Sequence, residues 1–133
     1  SKKTTINPIL SGAEILRLQQ LVREVPISDE LISYVNKLIR ATRPETSSNA
    51  FVKEWVSWGA GPRAGQAMIL TAKARALQQG RLAVTLEDLE HCAYPVLRHR
   101  VIVNFKAEAE GITSDEVTRE LLKSIIPAEK ARK

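Results

Sequence analysis

Residues 62–79 read PRAGQAMILTAKARALQQ and are followed by Gly80. Proline is tolerated in the first turn of a helix, where its missing N–H has no partner to lose, and glycine accepts the left-handed backbone that follows a helix end. The spacing therefore predicts a helix from Pro62 to Gln79, the longest uninterrupted helical pattern in the chain. Ala64, Ala67, Ala72, Ala74 and Ala76 fall on several faces of it, beside Met68, Ile69, Leu70 and Leu77. Small side chains on many sides allow several neighbours to approach closely, which places this helix in the middle of a helical bundle.

Amphipathic helices are predicted on both sides of it. Upstream, Ser11 and Glu14 have the spacing of a capping box, and Ile15, Leu18, Leu21, Val22 and Val25 recur at three- and four-residue intervals until Pro26 stops the run. Ser28 caps a second helix, with Asp29 and Glu30 at its electropositive end and Leu31, Ile32, Val35, Leu38 and Ile39 along one face. The polar stretch around Pro44 reads as a loop, and the aromatic run from Phe51 to Trp58 as a short strand or irregular turn. Downstream, Thr85 and Asp88 form another capping pair, followed by Leu86, Leu89, Ala93, Val96 and Leu97, with Pro95 expected to kink or divide that helix. Val101 to Phe105 reads as a short strand that pairs with Trp55 to Trp58, since a lone strand leaves its backbone unpaired. Thr113 and Glu116 cap a last helix, which Pro127 ends.

The expected fold class is all-α, a bundle of about four to five helices with a small two-stranded β element. With 133 residues, 44% of them apolar, the chain can close one core without metals or disulfides. Residues 1–10 read as a linker or expression remnant, 11–126 as the bundle, and 127–133 as a basic tail. A single cysteine, Cys92, and the lack of any run near the roughly 20 apolar residues of a membrane span favour a reducing cytoplasm. The formal charge of +5 comes from twenty basic residues interspersed with fifteen acidic ones, a mixture that argues against a nucleic-acid partner.

Chemistry concentrates at Gly61, Pro62 and Arg63. An arginine in the first turn of a helix adds to the positive end of the helix dipole, an unfavourable placement by roughly 0.3–1 kcal/mol for an unpaired residue. An anion nearby reverses the sign, because free backbone N–H groups and a guanidinium can hold phosphate oxygens together. The plainer alternative is that Arg63 pairs with a surface carboxylate or points into water.

The run Trp58-Gly59-Ala60-Gly61-Pro62-Arg63-Ala64 resembles the Gly-Ala-Ser-Pro-Arg-Ala signature of MoxR-type AAA+ ATPase lids. Tyr34-Val35 and the block from Leu38 to Arg43 are similar to that family's helix ending in Ala-Thr-Arg. Gly80-Arg81, Val84 to Asp88 and the block from Val96 to Val101 follow its later blocks in order. The resemblance covers residues 11–126 and implies a C-terminal lid whose Arg63 is the sensor-2 residue, reaching the γ-phosphate of ATP, with Gly61 and Pro62 on the phosphate side. It further implies ATP and magnesium shared with an AAA+ core domain, neighbouring subunits in a ring, commonly a hexamer, and a chaperone-like role. Gly61 departs from the pattern, standing where the family has serine; glycine is a slightly poorer N-cap, by a few tenths of a kcal/mol. The chain carries no Gly-x-x-x-x-Gly-Lys-Ser/Thr loop, so hydrolysis by this fragment alone is not expected.

Other residues carry weaker signals. His91 and His99 stand about 12 Å apart along one helix, too far for one ion, so no metal site is expected. Arg98, His99 and Arg100 are read as packing a helix end against the aromatic segment, and Lys73, Arg75 and Arg81 as a loose, solvated basic strip. Trp55 and Trp58 are assigned to core or interface packing. The competing reading is a stand-alone basic helical module that binds nucleic acid or protein, for which the alanine-rich central helix is a poor recognition element.

Overall fold

The computed structural model describes residues 6–125. It contains α1 (Gly12–Glu24), α2 (Asp29–Ala41), α3 (Ala50–Trp55), β1 (Val56–Trp58), α4 (Pro62–Gln78), α5 (Leu86–Leu97), β2 (Ile102–Val103), α6 (Phe105–Glu110) and α7 (Ser114–Ser124). The described residues thus form an all-α bundle of seven helices with one two-stranded antiparallel sheet. The two helices beyond the expected number, α3 and α6, are six residues each and begin at asparagine N-caps. Asn49 accepts from the N–H groups of Phe51 and Val52, and Asn104 from that of Ala107. Runs this short give no readable helical period, which is why the aromatic segment resembled a strand.

The central helix lies where its composition puts it: α4 packs against α5, α2 and α1. Ala64, Gly65, Met68, Ala72 and Ala76 form its buried face. A β-carbon built on Gly65 would rest at ordinary contact distance, 3.5 Å from Val35 Cγ1 and 3.6 Å from Ile39 Cγ1, so α2 and α4 approach closely here but leave space for a methyl group. Around this contact Val35, Leu38, Met68, Leu89, Leu97, Val117 and Leu121 close the core. Gly80 adopts φ 69°, and the N–H groups of Gly80 and Arg81 return to the carbonyls of Leu77 and Ala76. This left-handed cap ends α4 and turns Arg81 back toward α5.

The predicted strand pairing is present. Val56 pairs with Val103 and Trp58 with Ile102, with an irregularity between them, and the Ser57 hydroxyl donates to the Ile102 carbonyl. Pro95 neither divides nor ends α5, which continues to Leu97. The proline falls in the last turn, where it removes a single backbone bond near the helix end. The predicted stop at Pro127 lies outside the described residues.

The amphipathic α1 leaves its apolar stripe uncovered: Ile15, Leu18 and Leu21 are each nearly half exposed, and burial begins only at Val25. The expectation of a solvated basic strip is corrected, because Arg75 and Arg81 converge on Asp88, whose side chain is fully buried at the start of α5. Arg81 Nη2 reaches Asp88 Oδ1 at 2.6 Å, Arg75 Nη1 reaches the same oxygen at 2.5 Å, and the Thr85 N–H donates to Oδ2 at 2.9 Å. The Arg81 contact, then the Thr85 N–H and Arg75, hold this carboxyl far below the usual carboxylate range against the opposing effect of burial.

Asp88→Ala is expected to lower stability by about 3 kcal/mol in urea unfolding, because two arginines lose a shared buried partner. The depressed carboxyl fixes the sign of the pH effect: its contribution is complete above about pH 4, the unfolded value, and fades as pH falls further. The gap between wild type and Asp88→Asn is therefore expected to narrow in acid. At the alkaline end, the buried Tyr34 hydroxyl has no hydrogen-bond partner among the described residues. Burial, reinforced by Glu90, pushes this phenol up to about 12. Stability held by the neutral phenol is full below about pH 10 and is lost as pH rises through the folded value. Tyr34→Phe is expected to match wild type at neutral pH and to unfold at higher pH in an alkaline titration followed by circular dichroism.

Candidate functional site

Three residues, Gly59, Ala60 and Gly61, carry the chain from β1 into α4, and the end of α2 fixes their shape. The Thr42 hydroxyl accepts the Ala60 N–H at 2.8 Å and donates to the Ile39 carbonyl at 2.7 Å. Arg43 Nε donates to the Ala60 carbonyl at 3.1 Å. Both backbone polar groups of a residue only 1% exposed are thereby satisfied by two consecutive side chains. Gly59 lies so close to the end of α2 that a β-carbon there would stand 2.5 Å from the Thr42 carbonyl oxygen and 2.7 Å from Arg43 Cα. Only glycine fits without moving backbone.

Beyond this clamp the structure opens. Gly61 is the N-cap of α4, at φ −89° and ψ 176°, with no side-chain cap; Pro62 opens the first turn, and the Ala64 N–H returns to the Gly61 carbonyl at 3.0 Å. A β-carbon at Gly61 would have nothing within 4 Å. Arg63 is exposed and makes no ion pair with any described residue. The first turn of α4 holds no acidic side chain, a lack it shares with the six-residue α3, whereas those of α1, α2, α5, α6 and α7 each hold at least one. The electropositive end of the longest helix thus carries an additional cation and no internal counter-charge. Beside it, Arg43, Glu45, Trp58 and residues 59–61 line a hollow of about 270 Å³.

The three residues singled out in the sequence, Gly61, Pro62 and Arg63, are therefore contiguous and solvent-facing. Sequence reasoning missed the roles of Thr42 and Arg43, although both stood in a matching block. The available signal was the pairing of that block with a glycine-alanine turn far along the chain. Arg81, in another matching block, is held on Asp88.

The remaining candidates sort differently. His91 is exposed and Cys92 buried, with burial pushing its thiol up. Among the described residues no three His, Cys, Asp or Glu side chains are grouped to hold a metal. Arg98 grips Asp115 through Nε and Nη2 at 2.9 and 2.7 Å, and the Ser114 hydroxyl donates to the Arg98 carbonyl. Arg98 therefore ties the end of α5 to the start of α7, whereas Arg100 turns back to the Val96 carbonyl and His99, and neither side chain bonds the aromatic segment. Trp55 packs near Phe51 with Lys106 over its ring at 4.5 Å, while Trp58 is 67% exposed. No helix among the described residues is long and apolar enough to cross a membrane.

This helical bundle has known counterparts. Residues 49–121 match the AAA lid domain family, and the chain belongs to that family. Over 118 residues it is 36% identical to the chaperone MoxR1 of Mycobacterium tuberculosis, a match covering 88% of this chain and 31% of that protein. It is 27% identical over 128 residues to the protein YeaC of Bacillus subtilis, covering 96% of this chain and 38% of YeaC. The fold superposes on a crystal structure of a proposed ATPase from Cytophaga hutchinsonii with a TM-score of 0.82 and 32% identity, over 87% of this chain and 36% of that one. The chain spans about a third of the length of the proteins it matches.

The clamp makes opposite outcomes for two neighbouring glycines. Gly59→Ala is expected to cost about 1–3 kcal/mol in thermal or urea unfolding, because the new methyl meets backbone. Gly61→Ser, with open space around it and an N-cap to fill, is expected to raise stability by a few tenths of a kcal/mol.

Proposed function

We propose that the chain is the C-terminal lid of a MoxR-type AAA+ ATPase, and that Arg63 is its sensor-2 residue. The lid covers ATP bound to a core domain carrying the phosphate loop, and Arg63 meets the γ-phosphate as charge develops there during hydrolysis. The observation that carries this reading is the exposed, unpaired Arg63 guanidinium at an electropositive helix start that the Thr42 and Arg43 clamp holds in place. A fixed cation acts on a transition state without first reorganising, which is where such groups contribute most. Gly61 and Pro62 form the wall on the phosphate side, where the missing glycine side chain leaves backbone accessible to an anion. Magnesium and the other phosphates fall to the core. The similarity to a MoxR chaperone supports a cytoplasmic, chaperone-like machine built as a ring, commonly of six subunits, in which lid movement passes nucleotide state to the next subunit.

In the full-length polypeptide, Arg63→Ala is expected to lower ATP turnover by about 10²-fold, the scale of losing one positioned donor, with the unfolding midpoint unchanged. Arg63→Lys is expected to recover part of the loss, since charge returns without the planar fork. Wild-type turnover in Arg63→Ala would remove this residue from the mechanism.

A further inference from the structure

The ends of α2 and α7 enclose a second hollow, of about 430 Å³, which shares no lining residue with the one beside Arg63. Lys37, Arg40 and Ala41 stand at i, i+3 and i+4, so they share one face of α2, and the small Ala41 leaves the space beside the two long side chains open. The facing wall carries Thr46, Ser48 and Ser124 and is fixed by hydrogen bonds. The Thr46 and Ser47 N–H groups both donate to the Arg43 carbonyl, at 3.2 and 2.9 Å, and the Asn49 N–H donates to the Ser47 hydroxyl at 3.2 Å. Asn49 Nδ2 donates to the Ser124 hydroxyl at 3.2 Å, which ties this loop to α7.

Every charged group on this lining is positive. Lys37 and Arg40 are exposed, and neither makes an ion pair with any described residue. One turn earlier on α2 stand Ser33, Tyr34 and Asn36, none of them acidic, so two like charges face each other without a carboxylate between them. The exposed Thr46 and Ser48 hydroxyls and the Ser48 N–H donate to no described group. By contrast, the hollow beside Arg63 includes Glu45, and the groove between α5 and α7 sets Glu87 and Glu90 against Arg119 and Lys123. The pocket at the end of α2 is thus a fixed set of donors around two uncompensated cations.

We propose that this hollow is the docking site for an acidic segment of a partner protein, a run of aspartate and glutamate side chains gripped by Lys37 and Arg40 and hydrogen-bonded by Thr46 and Ser48. Helix polarity selects the form of the anion. Arg40 lies in the last turn of α2, where the helix presents its electronegative carbonyl end. A compact dianion held against that end is disfavoured, whereas carboxylates spaced along a chain meet the outward ammonium and guanidinium heads. Exposed ion pairs are individually weak, so affinity requires several on one ligand. From Ile125, which lines the hollow, the sequence continues through residues 126–133 with Lys130, Arg132 and Lys133 against Glu129. That segment has the sign of the hollow and brings it no net counter-charge. A second copy of the chain, also at +5, is opposed by long-range repulsion.

Fluorescence anisotropy with a labelled hexaglutamate peptide, at low ionic strength, tests the seat in the 133-residue chain. The wild type is expected to bind, and Lys37→Glu with Arg40→Glu to weaken binding at least about tenfold. Arg17→Glu with Lys53→Glu makes the same change in net charge at two exposed cations elsewhere and is expected to alter binding less than about twofold. All four positions are exposed, so each pair should keep the wild-type melting temperature within about 2 °C. Should the reversed pair melt lower, Lys37→Gln with Arg40→Gln removes the charge without reversing it and carries the test. Arg63→Ala is expected to bind the peptide as the wild type does, which keeps this site separate from the sensor reading. A wild type that does not bind the peptide overturns the proposal, as do equal losses in the two charge-reversed pairs, which mean attraction to net charge alone. A tenfold loss in Arg63→Ala places the acidic segment on the turn into α4 and overturns it too. Displacement by inorganic phosphate as readily as by unlabelled peptide marks a single-anion pocket, tighter binding of a labelled oligothymidylate marks a nucleic-acid face, and a dimer in sedimentation that Lys37→Glu with Arg40→Glu dissolves marks a contact between copies; each of these overturns the assignment.

Discussion

Ala60 surrenders both of its backbone polar groups to the end of α2, and the position at which α4 begins depends on that concession. A buried N–H or carbonyl left without a partner costs a few kcal/mol, so the turn into α4 has one low-energy position relative to α2. The Thr42 hydroxyl fixes one side and the Arg43 guanidinium the other. Gly59 completes the constraint sterically by letting the two backbones touch. Since Pro62 and Arg63 follow immediately, the direction in which α4 begins is inherited from side chains more than fifteen residues earlier.

The distribution of cations makes the same point from the electrostatic side. Arg75 and Arg81 share Asp88, Arg98 grips Asp115, and Lys106 bonds Glu54 while lying over Trp55. These arginines join one helix to another: α4 to α5 through Asp88, and α5 to α7 through Asp115. Arg63 has no such engagement among the described residues, and it stands where a helix has least use for a positive charge. Arg17, Lys37, Arg40 and Lys53 likewise make no ion pair among the described residues, so what sets Arg63 apart is its place at a helix start.

Much of this was legible in the residues. The bounds of α4 followed from Pro62 and Gly80, the starts of α1, α2, α5 and α7 from Ser11, Ser28, Thr85 and Thr113, and the pairing of β1 with β2 from the need of two short apolar runs for partners. These are local rules, and the structure obeys them. What could not be read were contacts between distant segments: periodicity says that Ile15, Leu18 and Leu21 share a face, but not whether anything covers it. Nor does local charge pattern say that Arg75 and Arg81, on a mixed helix end, turn inward to one carboxylate. For the site, sequence located Gly61, Pro62 and Arg63 but not the clamp, since Thr42 and Arg43 act across the fold.

Both ends of α4 are pinned, at its start by the Ala60 clamp and at its finish by the Asp88 pairs. A helix of 17 residues held in this way is a stiff rod about 25 Å long. Since it is pinned, the rod moves only with the bundle, and a rotation of the whole bundle by about 5° about the Gly80 corner would carry the opposite tip through about 2 Å. That displacement is comparable to the difference between a formed and a broken hydrogen bond. Angular play of a few degrees at one corner of the bundle is thus enough to switch contact at the other.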